Sequence, residues 1–144
     1  MPDTPEIVIA FDFGLRRIGV AVGQQITNSA SPAGVVTNSD SGPDWMRIGE
    51  LVREWRPQRL IVGMPLHADG SPSEMSNVIR SFVAELDRFQ LPVELVDERF
   101  SSIEAEEQLK HMRAEGLRGR IGKEAIDAAS AVLIAERWLK TKAQ

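Results

Sequence analysis

The most informative absence in this sequence is cysteine, which does not occur once in 144 residues. Without cysteine the chain has no disulfide framework, no thiol nucleophile, no iron–sulfur cluster and no cysteine-based zinc site. Histidine occurs only twice, so the sequence holds no Cys/His cluster either. Any metal ion bound by this chain is therefore expected to have oxygen ligands, which favours Mg²⁺ or Mn²⁺ over zinc.

Long apolar runs are absent as well. No stretch approaches the roughly 18 residues needed to cross a bilayer, and the first residues lack the basic and apolar regions of a secretory leader. We therefore expect a cytoplasmic protein. The length is typical of one domain, and 42% hydrophobic residues are enough for a core, so we expect a single domain over residues 1–144.

Positive charge is in short supply, with 17 Lys and Arg against 21 Asp and Glu. This balance argues against a nucleic-acid partner, whose binding proteins are usually basic. The basic residues are clustered, however, because segment 110–123 contains five of them and one acid. Such a patch indicates contact with phosphates, although cations that complement a helix C-terminus are the alternative interpretation. The candidate nucleic-acid-binding residues are Arg16, Arg17, Arg99, Arg113, Arg118, Arg120 and Lys123.

Aromatic side chains that could stack on bases are scarce. Trp45, Trp55 and Trp138 all fit the apolar stripes of predicted helices and are expected in the core. The sequence therefore predicts that a nucleic acid is recognised through its shape and backbone more than through its bases.

The order of apolar patterns predicts a mixed sheet. Residues 6–13 are apolar on both alternating faces except at Asp12, as is typical of a central strand. The other predicted strands are 18–23, 33–37, 59–63 and 93–96, and the predicted helices are 43–56, 73–89, 103–113 and 124–140. This order, an antiparallel meander followed by β/α units, predicts an α/β fold with a five-stranded mixed sheet and helices on both faces.

Three acidic positions are hard to explain as solvated surface. Asp12 ends the central strand on the face of Val8 and Ala10, Asp97 and Glu98 close a later strand, and Asp127 heads the apolar stripe of the last helix. Inward carboxylates at one sheet edge would repel each other, and a divalent cation would relieve that repulsion. The alternative is a turn-forming aspartate, a surface corner and an ordinary acid in the first turn of a helix.

The second predicted strand has small residues on one of its faces. Gly19, Ala21 and Gly23 share one face of the second predicted strand. We expect this face to leave room beside Asp12 for a sugar–phosphate backbone.

Four segments, in order, resemble the YqgF/RuvX family: DFGLRRIGVAVG (12–23), VGMPLHADG (62–70), VDERFSSIEAE (96–106) and DAASAVLIAERWL (127–139). Members of this family have an RNase H-like fold and are described as pre-16S rRNA nucleases related to Holliday-junction resolvases. The resemblance implies that Asp12, Glu98 and Asp127 are catalytic acids that bind Mg²⁺ or Mn²⁺.

The second acid departs from the pattern of the related resolvases. Their second acid usually ends the strand after the first helix, but here that strand reads LIVGMPL and carries none. The resemblance gives this position to Glu98, one strand later, with Asp97 or Asp69 as possible substitutes.

The resemblance implies a metal-dependent endonuclease that processes the 5′ end of pre-16S rRNA in ribosome biogenesis. One alternative is a resolvase acting on branched DNA, and another is a non-catalytic assembly factor that keeps the fold and the basic patch. A nucleotide phosphotransferase is disfavoured, because the actin and sugar-kinase proteins that share a similar first motif bind ATP between two such domains. No exposed apolar stripe indicates a stable dimer, so we expect a monomer or a weak homodimer.

Overall fold

The computed structural model describes residues 5–65, 69–97 and 119–142, and in the last range it describes side chains from residue 128 onward. The strands are β1 (Ile7–Phe13), β2 (Arg17–Gln24), β3 (Ser29–Ser39), β4 (Gly42–Pro43), β5 (Arg59–Met64) and β6 (Val93–Asp97). The helices are α1 (Trp45–Trp55), α2 (Ser76–Glu85) and α3 (Gly119–Lys142), with a 3₁₀ turn at Leu86–Phe89. The helix predicted at 103–113 falls outside these ranges.

The strands form one mixed sheet in the order β4-β3-β2-β1-β5-β6. Strand β1 pairs antiparallel with β2 and parallel with β5, and β5 pairs parallel with β6. The predicted mixed sheet with a central first strand is therefore confirmed. The carboxyl ends of β1, β5 and β6 meet at the same edge, which we call the carboxyl edge.

The sheet has six strands, so the predicted number of five is wrong. The polar segment after residue 37 was expected to be a loop, but β3 continues to Ser39 and turns back to pair with β4. Gly42, with a φ of 109°, adopts a backbone conformation that favours glycine and allows this tight return. The extra strand is only two residues long.

Local capping groups set the ends of the helices. Asp44 caps α1 by accepting a hydrogen bond from the Arg47 backbone N at 3.2 Å, and the helix ends at Arg56 in the left-handed conformation, directly before Pro57. Helix α2 begins at Ser76 and not at Ser73, because Ser73 donates its hydroxyl to the Pro65 carbonyl and its amide to Ser76 Oγ. Of the helices that the structure describes, none is long and apolar enough to span a membrane.

Helices cover both faces of the sheet, as predicted. Helices α1 and α2 pack on one face, whose core includes Phe11, Ile48 and Phe82. Helix α3 packs on the other face, where Ile134 and Trp138 lie against β1, β5 and β6. All three tryptophans belong to this packing: Trp138 is 2% exposed, and Trp45 and Trp55 are partly buried against the α1/α2 core.

Candidate functional site

Asp12 is the second-to-last residue of the central strand β1, on the face that α3 covers. Alternation along β1 places Val8, Ala10 and Asp12 on that face, while Phe11 and Phe13 pack on the α1/α2 side. Asp12 is half-buried and engages in an interaction within the protein. A carboxylate therefore lies at the carboxyl edge, on the same face as the last helix.

The face of β2 beside Asp12 consists of small residues, as expected. Asp12 pairs with Gly19, and Ala21 and Gly23 follow on the same face. The expectation that all three leave room for substrate is wrong at Gly23, because α3 occupies that space. A Cβ at Gly23 would lie 3.0 Å from Val8 Cγ2 and 3.5 Å from the Ala135 Cβ. Gly23 therefore serves the close approach of the helix.

Charged pairs anchor the opposite edge of the sheet. Arg59 Nε lies 3.1 Å from Glu6 Oε1, Arg59 Nη1 lies 3.5 Å from Glu94 Oε1, and Lys142 Nζ lies 3.6 Å from Glu94 Oε2. The hydrogen bond to Glu6 raises the pKa of Arg59 above its ordinary value. These pairs join β1, β5, β6 and the end of α3 at the edge away from Asp12.

Helix α3 runs antiparallel to the parallel strands. Its last residues reach the start of β6, where Lys142 meets Glu94. Earlier along the helix, Arg137 Nη1 donates a hydrogen bond of 2.8 Å to the carbonyl of Asp97, the final residue of β6. The amino-terminal half of α3 therefore extends toward the carboxyl edge.

This direction brings the backbone of Asp127 toward Asp12. Ala135 packs at the level of Gly23, which pairs with Val8 near the start of β1. From Ala135 back to Asp127 the helix covers about 12 Å, and from Val8 to Asp12 the strand covers about 13 Å. Asp127 thus lies in the part of α3 that is nearest to the end of β1.

The third predicted acid, Glu98, lies outside the described residues, but its neighbour Asp97 is informative. Asp97 pairs with Met64, which packs in the α1/α2 core, whereas Val96 packs in the α3 cluster. Alternation therefore places Asp97 on the face opposite Asp12. Asp97 is a poor substitute for a second acid beside Asp12.

Asp69, the other possible substitute, has a local role. It is exposed, and its Oδ1 accepts hydrogen bonds from the Ser71 backbone N at 2.9 Å and from Ser71 Oγ at 2.6 Å. This geometry is an Asx turn, which shapes the loop before α2.

Two of the predicted arginines lie at the β1–β2 connection, Arg16 in the turn and Arg17 as the first residue of β2. Arg16 and Arg17 are both exposed. The turn is tight, because a Cβ at Gly14 would lie 2.5 Å from the Arg17 carbonyl oxygen. The remaining predicted basic residues are not described at the side-chain level: Arg99, Arg113 and Arg118 lie outside the described ranges, and Arg120 and Lys123 lie in the first turns of α3.

A buried asparagine, which the sequence analysis missed, holds this turn. Asn38 of β3 is 8% exposed, donates Nδ2 to the Gly14 carbonyl at 2.7 Å, and donates its backbone N to the Arg16 carbonyl at 2.9 Å. The only signal in the sequence is a polar residue in a segment that resembles a loop. The contact of Arg137 with Asp97 was also missed, because no neighbouring residue in the sequence indicates it.

The donor chemistry of the predicted acids suits a hard cation. Three carboxylates offer oxygen ligands only, which is the ligand set that Mg²⁺ and Mn²⁺ prefer. The side chains that the structure describes include no group of three or more His, Cys, Asp or Glu that could hold a metal ion. Of the predicted ligand set, only Asp12 has a described side chain.

Comparison with known families matches nearly the whole chain. A family model described as RuvX, Holliday junction resolvase, covers residues 6–141. The match begins one residue before β1 and ends within the last turn of α3, so it includes every strand and helix of the fold.

Curated relatives from several bacteria are similar over nearly their full length. A protein of Azotobacter vinelandii is 43% identical over 136 residues, which is 94% of this chain and 94% of that protein. One from Edwardsiella ictaluri is 41% identical over 139 residues, which is 96% of this chain and 97% of that protein. Both carry the name "Putative pre-16S rRNA nuclease".

Two solved resolvase structures share this fold. The fowlpox virus resolvase, in complex with Holliday junction DNA, superimposes with a TM-score of 0.58 at 12% identity and covers 96% of this chain and 99% of its own. RuvC of T. thermophilus, in complex with a Holliday junction substrate, gives a TM-score of 0.56 at 16% identity and covers 95% of this chain and 96% of its own. At these identities the likeness concerns the fold, and it confirms the predicted RNase H-like architecture.

Proposed function

The chain belongs to the RuvX family, and on that premise we propose that it is a divalent-metal-dependent nuclease that hydrolyses phosphodiester bonds in structured nucleic acid. The observation that carries this proposal is the half-buried carboxylate of Asp12 at the carboxyl edge, on the face that α3 covers. We infer that the substrate is precursor 16S rRNA, because relatives that are similar over nearly their full length are named as pre-16S rRNA nucleases. We further propose that the protein processes the 5′ end of this precursor and acts in the cytoplasm.

The proposed catalytic acids are Asp12, Glu98 and Asp127. The antiparallel course of α3 supports the pairing of Asp12 with Asp127, since it brings the backbone of Asp127 toward the end of β1. A bound Mg²⁺ or Mn²⁺ ion would polarise the scissile phosphate and activate water. The chain's own contribution is to hold these oxygen ligands at one edge of a rigid sheet.

The proposed second acid is Glu98 and not Asp97 or Asp69. Asp97 lies on the face opposite Asp12, and Asp69 is exposed and accepts two hydrogen bonds from Ser71. Both alternatives therefore have a placement or a local role that does not fit a ligand shared with Asp12. Glu98 is the next residue along the chain after β6.

The proposed phosphate contacts begin at the β1–β2 turn. Arg16 and Arg17 are exposed within five residues of Asp12, and the hydrogen bonds from Asn38 hold the turn that carries them. Guanidinium groups in such a turn suit the backbone phosphates on either side of a cleaved bond. Arg99, Arg113, Arg118, Arg120 and Lys123 complete the proposed binding surface.

Cleavage assays on two substrates test the nuclease proposal. A 5′-extended 16S rRNA precursor and a four-way DNA junction are each incubated with Mg²⁺, with Mn²⁺ and with EDTA. We expect the RNA to be cleaved in the presence of metal, and Asp12→Asn to reduce the rate by roughly 10³-fold, because several kcal/mol of transition-state stabilisation would be lost. Asp69→Asn is the matched control and retains activity.

The outcomes separate the candidates. Cleavage that survives Asp12→Asn contradicts the assignment of the site. Faster cleavage of the junction than of the RNA favours a resolvase. Binding of RNA without cleavage, unchanged by Asp12→Asn, favours a non-catalytic assembly factor.

A second pair of variants tests the choice of Glu98. Glu98→Gln is expected to reduce the cleavage rate as strongly as Asp12→Asn does, whereas Asp97→Asn, at the neighbouring position, retains most of the rate. The reverse result would assign the second acid to Asp97.

A further inference from the structure

A groove of about 380 Å³ lies beside the β1–β2 turn, between that turn, the β3–β4 hairpin and helix α2. This size falls within the range of about 300–1,000 Å³ typical of small-molecule sites. The groove is separate from the α3 face, but it shares the carboxyl edge with Asp12. Its lining includes Phe13, the residue that directly follows Asp12 in β1.

The inner part of the groove is apolar and aromatic. The rings of Phe13 and Phe82 both line it, with their centroids 5.0 Å apart. Leu15 and Val78 stand on its two sides and are 64% and 41% exposed. Phe82 is 2% exposed and supports Phe13 from within the core, so the half-buried ring of Phe13 is the aromatic surface on which a planar base could stack.

The described residues on the rim of the groove include hydrogen-bond acceptors. Asp40 and Glu85 line it, and their carboxylates make no hydrogen bond or ion pair within residues 5–65, 69–97 and 128–142. Asn38 also lines it and uses Nδ2 for the Gly14 carbonyl, which leaves its side-chain oxygen as the group available to a ligand. Because the described residues that line the groove include two carboxylates and neither lysine nor arginine, this lining does not complement a phosphate. It complements a group that donates N–H bonds.

The positive charges beside the groove indicate that the N–H donor belongs to a nucleic acid. Arg16 and Arg17 follow Leu15 and are exposed. A strand crossing the carboxyl edge with a phosphate at Asp12 would meet these guanidinium groups at the next phosphates. Its bases would then lie over the groove on the far side of the turn.

We propose that this groove binds one unpaired nucleobase of the substrate strand, next to the phosphodiester bond that is cleaved. This proposal rests on the proposed function. The acceptors on the rim favour bases with an exocyclic amino group, namely adenine, cytosine and guanine, over uracil. The groove thereby adds base recognition to an edge that, from the scarcity of stacking aromatics, is expected to recognise shape and backbone more than bases.

Binding measured without metal tests the proposal independently of catalysis. A fluorescein-labelled 12-nucleotide single-stranded RNA of mixed sequence is titrated with protein in EDTA, and fluorescence anisotropy gives Kd. Val78→Trp fills the groove and is expected to weaken binding by about fivefold or more, the loss of one stacked base. Ser81→Trp, one turn later on α2 and also lining the groove, provides a second variant.

Ile26→Trp is the matched control. Ile26 is 78% exposed in the β2–β3 turn, at the edge of the sheet away from Asp12, so the same added indole should leave Kd unchanged. Melting temperatures of all three variants show whether each one folds.

An abasic scan of the same RNA identifies the bound base. One abasic position is expected to weaken binding to the native protein but not to Val78→Trp. The groove proposal is overturned if all three variants, Val78→Trp, Ser81→Trp and Ile26→Trp, bind the RNA with Kd values close to the native value. This result leaves the nuclease proposal intact. Failure of the native protein to bind this RNA also overturns the groove proposal, whereas the nuclease proposal is decided separately by cleavage of the 16S rRNA precursor in the presence of metal.

Discussion

The two faces of the sheet are built differently. On the α1/α2 face, β1 and β2 present large side chains, such as Phe11, Ile18 and Val20, which pack against Phe82 and other apolar residues of the helices. On the α3 face, the same two strands present Ala10, glycines and Asp12. One pair of strands therefore carries a thick apolar core on one side and a thin, partly polar contact on the other.

The difference indicates that the α1/α2 face contributes most of the stability, while the α3 face carries the proposed site. Burial of large aromatic and aliphatic side chains is the main source of stability in a domain of this size. Small side chains allow a helix to lie close to a sheet, and α3 uses this at Gly23. The α3 face can therefore bring two acids from distant parts of the chain near one edge, while the opposite face keeps the sheet rigid.

The first prediction tests whether the α1/α2 face dominates stability. Phe82 is 2% exposed and contacts the rings of Phe11, Phe13 and Trp45, with centroids 5.0 to 5.6 Å apart. Replacing it with alanine removes these contacts and leaves a cavity, so the free energy of unfolding should fall by about 3–5 kcal/mol. Urea denaturation followed by circular dichroism measures the change.

The control for this prediction is Phe89→Ala. Phe89 is only partly buried, and its ring lies 6.2 Å from that of Trp45, centroid to centroid. The same truncation should therefore cost clearly less. A loss at Phe89 as large as that at Phe82 would mean that burial on this face does not set the stability.

The second prediction tests the close contact on the α3 face. Gly23→Val places methyl groups where even a Cβ would be 3.0 Å from Val8 Cγ2, so either α3 or Val8 must shift. We expect a stability loss of about 1–3 kcal/mol from overpacking. If the proposed site spans β1 and α3, the shift of the helix should also lower the cleavage rate. This decrease should be seen at a temperature where the variant is fully folded, so that lost stability does not explain it.

Gly23→Ala provides the graded comparison. The 3.0 Å contact is with the end of a side chain, and the next contacts, with Ala135 and Leu139, are 3.5 and 3.6 Å, so alanine needs only a small adjustment. Its effect should be smaller in both measurements. Equal activity of the alanine and valine variants with native protein would show that the helix can move without harm to the site.

Much of this architecture could be predicted from the sequence, because local patterns determine it. The two-sided apolar strand ending at Asp12 is central as predicted, and Asp44 and Pro57 mark the ends of α1. That Asp12 shares a face with Val8 and Ala10 follows from alternation alone, whereas the structure shows that α3 covers this face. These features depend on residues within a few positions of each other.

The features that could not be predicted depend on contacts between distant parts of the chain. Strand β3 is longer than the predicted strand at both ends, because it pairs with β2 from Ser29 onward and with β4 as far as Ser39, although these polar residues resemble a loop. Asn38 acts on a turn 24 residues away, and Arg137 acts on a strand end 40 residues away. The small size of Gly23 predicts space for substrate, but the fold shows that α3 fills this space. This contact joins distant parts of the chain, so the local pattern gives no sign of it.

The third prediction concerns Arg137, which joins the α3 face to the end of β6. Its guanidinium donates a 2.8 Å hydrogen bond to the carbonyl of Asp97, the residue before Glu98. Arg137→Met keeps the aliphatic part of the side chain but removes the donor, and should cost about 1.5 kcal/mol of stability. Because Arg137 would act by positioning Glu98, kcat should fall about tenfold while KM changes little.

Arg137→Lys distinguishes positioning from a general loss of stability. Lysine keeps a charged donor that can reach toward the same carbonyl, so it should recover part of kcat. If Arg137→Met lowers stability but leaves kcat at the native value, the end of β6 does not position a catalytic acid, and Arg137 only fastens α3 to the sheet. If the methionine variant instead raises KM with kcat unchanged, Arg137 belongs to the substrate-binding surface. The α3 face would then contribute to substrate binding, and the α1/α2 face to stability.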